Sequence, residues 1–113
     1  MQQRTYDFLV GLRVPMLTFG GELMGDAVEL MMEDLRHHQF ISLADIESEL
    51  ADKFHCSPGA ADRRLRRAME MTEFRCGEYP NPELEKLRVE YHIETWSVKK
   101  FIYAVARSLI ENE

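Results

Sequence analysis

The stretch Ser42–Cys76, SLADIESELADKFHCSPGAADRRLRRAMEMTEFRC, constrains the fold more than any other part of the chain. It reads as two helices joined by a tight turn, each with one apolar face. The first, about Leu43 to Phe54, carries Leu43, Ile46, Leu50 and Phe54 at spacings of three or four, one face of a helix. The break His55-Cys56-Ser57-Pro58-Gly59 follows. Ser57 is a good N-cap, because its hydroxyl oxygen can accept from the free N–H groups of the next turn. Pro58 suits the first helical position, where its missing N–H costs nothing. Gly59 leaves the backbone open to close approach by another group, such as a phosphate.

Phased at about 100° per residue, the second helix puts Ala61, Leu65, Ala68, Met69 and Thr72 on one side, to pack on the first helix. Arg63, Arg66, Arg67 and Glu70 fall opposite, with Gly59 and Ala60 beside them near the N-terminus and Arg64 between the faces. Four arginines in five residues then present forked cationic donors on a rigid rod. A guanidinium can bond guanine O6 and N7 together, so this is the layout of a major-groove reader, a helix-turn-helix. The plain alternative is a solvated arginine-rich face, steadied by pairs such as Asp62–Arg66 and Arg66–Glu70.

The run Leu50–Glu70, LADKFHCSPGAADRRLRRAME, resembles the helix-turn-helix core of the C-terminal DNA-binding effector domain of the sporulation master regulator (stage-zero sporulation protein A). That family shows I-A-x-K-F-x-T-T-x-x-R-V-E-R-A-I-R-H-A-I-E. Ala51, Lys53, Phe54, Arg63, Arg66, Ala68 and Glu70 match outright, and Asp62, Leu65 and Met69 are close substitutes. Val14-Pro15 followed by Gly20-Gly21-Glu22-Leu23 is similar to the family's V-P-x-x-x-K-G-Y-x-Y-L. Phe101-Ile102, Val105-Ala106 and Leu109 resemble its last helix, F-I-A-x-V-A-x-x-L. The resemblance is strong in the middle of the chain and weak over residues 77–97.

There are departures. Ala60 stands where the family has an arginine, Cys56 and Ser57 replace its paired threonines, Arg64 replaces an alanine and Arg67 a histidine. Trp96-Ser97-Val98 replaces the proline-threonine-asparagine start of the last helix. One base-reading side chain is gone and two cations are added, so the family's DNA site does not carry over.

The resemblance implies a sequence-specific regulator of transcription that binds double-stranded DNA, with a recognition helix at about 58–75 in the major groove. Arg63, Arg66 and Arg67 would reach base edges or nearby phosphates, while Arg64, Lys53 and Ser57 would position the backbone and Gly59 would let it approach. Family members bind short sites as tandem copies and touch the polymerase sigma factor, which implies a homodimer on DNA and a sigma-factor contact here. The family's receiver domain and its phosphorylated aspartate have no counterpart in these residues. Two alternatives stay open: a protein-interaction module that kept the fold and lost specific DNA binding, and a DNA-architectural accessory of a mobile element, such as a recombination directionality factor.

A chain of 113 residues is one domain by length, 1–113. Its net charge of −6 argues against DNA binding at face value. Distribution softens this: Ser57–Cys76 sums to +2 and the remainder to −8, a basic patch on an acidic body. There is no apolar run near ~18 residues, so no membrane span is expected, and MQQRTYDFLVGLRV lacks a secretory core. Cys56 and Cys76 lie about 20 helical residues apart, roughly 30 Å at 1.5 Å per residue, too far to bridge, which fits a reduced, cytoplasmic protein.

The other elements follow in order. Residues 5–13 read as a short helix with Phe8, Leu9 and Leu12 inward, ended by Val14-Pro15. Thr18 or Gly20 opens a long helix to about His38. Met24, Ala27, Val28, Met31 and Leu35 form its main stripe; Leu23, Leu30 and Met32 lie outside it, so this helix is expected at the centre. Ser42 caps the next helix with Asp45 in its first turn. Gly77 is a natural stop for the arginine helix. Asn81-Pro82-Glu83 starts a helix to about Tyr91, although Leu87, Val89, Tyr91 and Ile93 also alternate as a strand would. Ser97 caps a last helix bearing Val98, Phe101, Ile102, Val105 and Leu109. The expectation is an all-α fold of five to six helices around a helix-turn-helix.

Enzyme signals are absent: no G-x-S-x-G, phosphate loop, H-E-x-x-H or dinucleotide fingerprint. The acid pairs Glu33-Asp34 and Glu47/Glu49 are placed on solvated helix faces. His37, His38, His55 and Cys56 lack the spacing of a zinc site, so no metal and no cofactor are expected.

Overall fold

The computed structural model describes residues 1–78 and 81–113, with side chains described for all of these but 74–78. It is all-helical: α1 (Gln3–Gly11), α2 (Phe19–Arg36), α3 (Leu43–Phe54), α4 (Pro58–Glu78), α5 (Pro82–Glu90) and α6 (Val98–Glu111). Among the described residues there is no strand. No helix is long and apolar enough to cross a membrane.

Helix α2 is the axle, packed against α6, α4, α1 and α3. Burial on more than one side explains its sequence: Leu23 and Met32, outside the main stripe, are as inaccessible as Met24, Ala27, Val28 and Met31. Phe101, Ile102 and Val105 of α6 are fully buried. Two glycines let neighbouring backbone come close. A Cβ on Gly21 would lie 2.2 Å from the Pro15 carbonyl oxygen, and one on Gly20 would lie 2.7 Å from the Arg64 carbonyl oxygen. Helix α4 is therefore seated backbone-to-backbone on the start of α2.

The starts of α2 to α6 follow cap chemistry. Thr18, Ser42, Ser57 and Ser97 each accept from the N–H three residues on, those of Gly21, Asp45, Ala60 and Lys100. Asn81 accepts from Glu83 and Leu84, and its amide donates to the Leu12 carbonyl, tying the start of α5 to the end of α1. That cap settles residues 87–93 against a strand: Leu87 is buried on α5, Val89 is 60% exposed, and the helix ends at Glu90.

Two helix ends, those of α1 and α4, differ from the sequence reading. Arg13, His38, His55 and His92 all take φ between 55° and 65°. At each, the next residue's N–H reaches back five positions: Val14 to Leu9, Gln39 to Asp34, Cys56 to Ala51 and Ile93 to Arg88. This is the Schellman closure, made here without glycine. It ends α1 at Gly11 rather than at Val14-Pro15. Gly77, expected to stop α4, remains helical, and α4 runs to Glu78. Of the loop expected after it, Tyr79 and Pro80 lie outside the described residues.

Candidate nucleic-acid interface

Helix α4 is divided lengthwise. Ala61, Leu65 and Thr72 are wholly buried and Ala68 and Met69 nearly so, the face expected to pack. Arg63, Arg64, Arg66, Arg67 and Glu70 are exposed. With Ala60, these five line one shallow groove of about 460 Å³. The structure thus brings the four arginines together along one side of a helix fixed by its other side.

They are held differently. Arg66 Nη2 donates to Asp62 Oδ2 at 2.8 Å, so the pair expected one turn earlier forms. Its worth in stability is small, because the Arg66 side chain is 64% exposed. The Arg64 guanidinium lies 5.8 Å from the Phe19 ring centre, and that ring stacks edge-on to Phe54 at 5.5 Å. This aromatic step from α2 and α3 gives Arg64 a platform at the side of the arginine face. Arg63 and Arg67 make no ion pair with any described residue. Ser57 has its hydroxyl engaged as the α4 cap, accepting from the Ala60 N–H. Gly59 is exposed, and a Cβ there would meet nothing nearer than Arg63 Nη1 at 3.7 Å.

Lys53 is placed elsewhere. Its ammonium donates to Asp26 Oδ2 of α2 at 2.9 Å and lies 5.4 Å from the Phe54 ring centre. It lines a separate groove with Asp26, Glu29 and Glu49. Asp26 raises the Lys53 pKa by hydrogen bond and charge. Sequence patterning missed Asp26, which is only 8% exposed. Its signal was a lone carboxylate inside an otherwise apolar segment of the central helix.

Glu47 was also misplaced by patterning. It lies over α4 rather than on a solvated face, with Oε2 buried and accepting no hydrogen bond from any described donor. Burial first, then the neighbouring Asp62 carboxyl, push its carboxyl up to about 7, with Arg66 pulling the other way. Glu73 is raised too, by burial and by Glu70. Cys56, in the turn before α4, is a free, half-buried thiol. Among the described residues no three His, Cys, Asp or Glu side chains converge on one centre.

No protein family matches the chain, and neither a curated protein nor a solved structure matches it.

Proposed function

We propose that the chain is a sequence-specific DNA-binding regulator of transcription in which α3 and α4 act as a helix-turn-helix and α4 enters the major groove. The observation that carries this is the exposed row Arg63, Arg64, Arg66 and Arg67 on a helix whose opposite face is locked into the core. Rigid support matters because base reading needs the forks held in register with the base edges. The resemblance to the sporulation effector domain rests on the residues quoted above and supports the same reading, including tandem binding and a sigma-factor contact. A cytoplasmic location goes with that reading.

Arg66 is the side chain to test. If it bonds a guanine through both donors, Arg66→Ala weakens binding to a selected site by about 1–3 kcal/mol and flattens preference at one base position. With few phosphates neutralised, the slope of log K against log salt is shallow, on the order of −3 to −5. Site selection from a random duplex pool, followed by anisotropy titration, measures both. A folded Arg66→Ala protein that binds the selected site like wild type removes α4 base reading through this residue.

A protein-interaction module is the second reading. It is favoured by the net charge of −6 and by Leu17, 97% exposed beside the start of α2. A salt slope near zero at measurable affinity would favour it.

A further inference from the structure

Arg64 is held by a ring, whereas Arg66 is held by a carboxylate. It lies on the side of α4 that meets the start of α2, where its carbonyl is the backbone that Gly20 approaches. Phe19 is the first residue of α2, and the Arg64 guanidinium carbon lies over its ring, 5.8 Å from the centre. The ring is itself braced. Phe54, the last residue of α3, meets it edge-on at 5.5 Å, with 72° between the planes. Lys53 lies 5.4 Å from the Phe54 ring centre and is tied in turn to Asp26 of α2. Phe19 is still 37% exposed, so the Phe19–Arg64 pair sits at the surface, on the flank of the arginine row. The way Arg64 is held decides what it can do. An ion pair uses guanidinium N–H groups, as Arg66 does on Asp62. An aromatic face attracts the charge and spends no donor. The Arg64 side chain donates to no described residue, so its N–H groups are left for a ligand.

We propose that Phe19 is a positioning residue for DNA binding: it holds Arg64 beside α4, with its donors free, to grip a backbone phosphate at the edge of the major groove. The inference rests on the DNA reading above and adds to it an aromatic residue from a different helix. Arg64 is drawn toward α2, off the centre of the exposed face, so the duplex atoms within its reach are sugar and phosphate rather than base edges. Such a contact sets register on the duplex and carries no sequence information. The ring contributes by ordering the guanidinium beforehand. A free arginine loses rotamer freedom when it engages a ligand, and one already resting on a ring has lost part of it on folding.

Anisotropy with two labelled duplexes tests this, one the site selected from the random pool and one a scrambled sequence of the same composition. Phe19→Leu keeps an apolar side chain and removes the π face. It should weaken binding to both duplexes about two- to fivefold, the range of a cation–π contact at an exposed site, and leave base preference unchanged. In an Arg64→Ala background the same substitution should cost nothing further. Phe19→Tyr, which keeps the ring, should bind as wild type does. Arg64→Ala should also make the salt slope shallower by about 0.9, one phosphate. If Phe19 served only to pack α2 on α4, its loss would disturb the whole row, and the deficit would persist in the Arg64→Ala background. That result overturns the proposal, as does a Phe19→Tyr protein as weak as Phe19→Leu. Proton NMR reads the pair without DNA. The ring should shift the Arg64 side-chain protons upfield, and Phe19→Leu should return them to ordinary values; unshifted protons in wild type overturn the proposal. If no protein binds either duplex, the DNA reading itself falls and takes the proposal with it. The upfield shift then separates that failure from a failure of the Phe19–Arg64 contact.

Discussion

Lys53→Ala separates a phosphate contact from a structural one. The resemblance makes Lys53 a backbone-positioning cation, a surface group whose loss leaves folding untouched. Its geometry says otherwise. Lys53 Nζ is 2.9 Å from Asp26 Oδ2; the lysine side chain is 62% exposed, the aspartate side chain 11%. Fully exposed pairs are worth about 0.2–1 kcal/mol, whereas breaking a fully buried one costs about 3–5 kcal/mol because the remaining charge is stranded. This pair has one end in each regime. Screening at the ammonium keeps the cost near the lower figure, and enclosure of the carboxylate lifts it above that, to about 1–2 kcal/mol. For a chain of this length that is a fall in Tm of about 4–8 °C. Asp26→Asn relieves the stranded charge, so the double variant should recover part of the loss. Asp26 raises the Lys53 pKa, so this contribution is fully present below the ordinary lysine value and is lost as pH climbs from there through the raised one. Urea melts of the two single variants and the double variant at neutral pH measure the coupling. Additive losses, or an unchanged Tm in Lys53→Ala, would refute the assignment and return Lys53 to the surface.

Two other substitutions test how α4 is held. Gly20→Ala places a methyl 2.7 Å from the Arg64 carbonyl oxygen, which is backbone and cannot swing away; α2 and α4 must part, at about 1–3 kcal/mol by thermal melt, with duplex affinity falling in step. His55→Gly relieves the left-handed residue that ends α3 and should stabilise by roughly 1 kcal/mol in a denaturant melt, since glycine takes φ of 55° without steric cost.

The starts of α2 to α6 were legible because they are local chemistry: a serine, threonine or asparagine whose side chain meets an N–H two or three residues on. The α3 bounds, Leu43–Phe54, could be read directly from Ser42 and the break at His55. Ends were less legible because three histidines and an arginine stand where glycine is the usual signal. What replaces that signal at α1 and α5 is an apolar residue just past the turn: Val14 and Ile93 are 4% and 6% exposed, and their burial helps to anchor the closure. The two faces of α4 follow from a 3.6-residue period and needed no tertiary knowledge. Asp26, Glu47 and the true place of Lys53 did need it. Each depends on which residue of another helix lies opposite, and a single-helix projection cannot supply that.

Those same pairings bear on how an acidic chain could engage an acidic polymer. Two cations of the proposed interface, Lys53 and Arg66, already have carboxylate partners from the fold. Each would have to break or share that partner to meet a phosphate. Arg63 and Arg67 have no described anionic partner, and Arg64 rests on an aromatic ring that leaves its charge intact. On the proposed reading, a net charge of −6 repels a polyanion at long range, so encounter would be slow and non-specific residence short. Affinity then has to come from a few side chains already in place on a helix that cannot shift, because Gly20 and the buried Ala61, Leu65 and Ala68 fix it against α2 and α3. On that reading, a site built this way would discriminate more than it attracts. Moving α4 by the width of one methyl at Gly20 should therefore cost it more than removing any single phosphate contact.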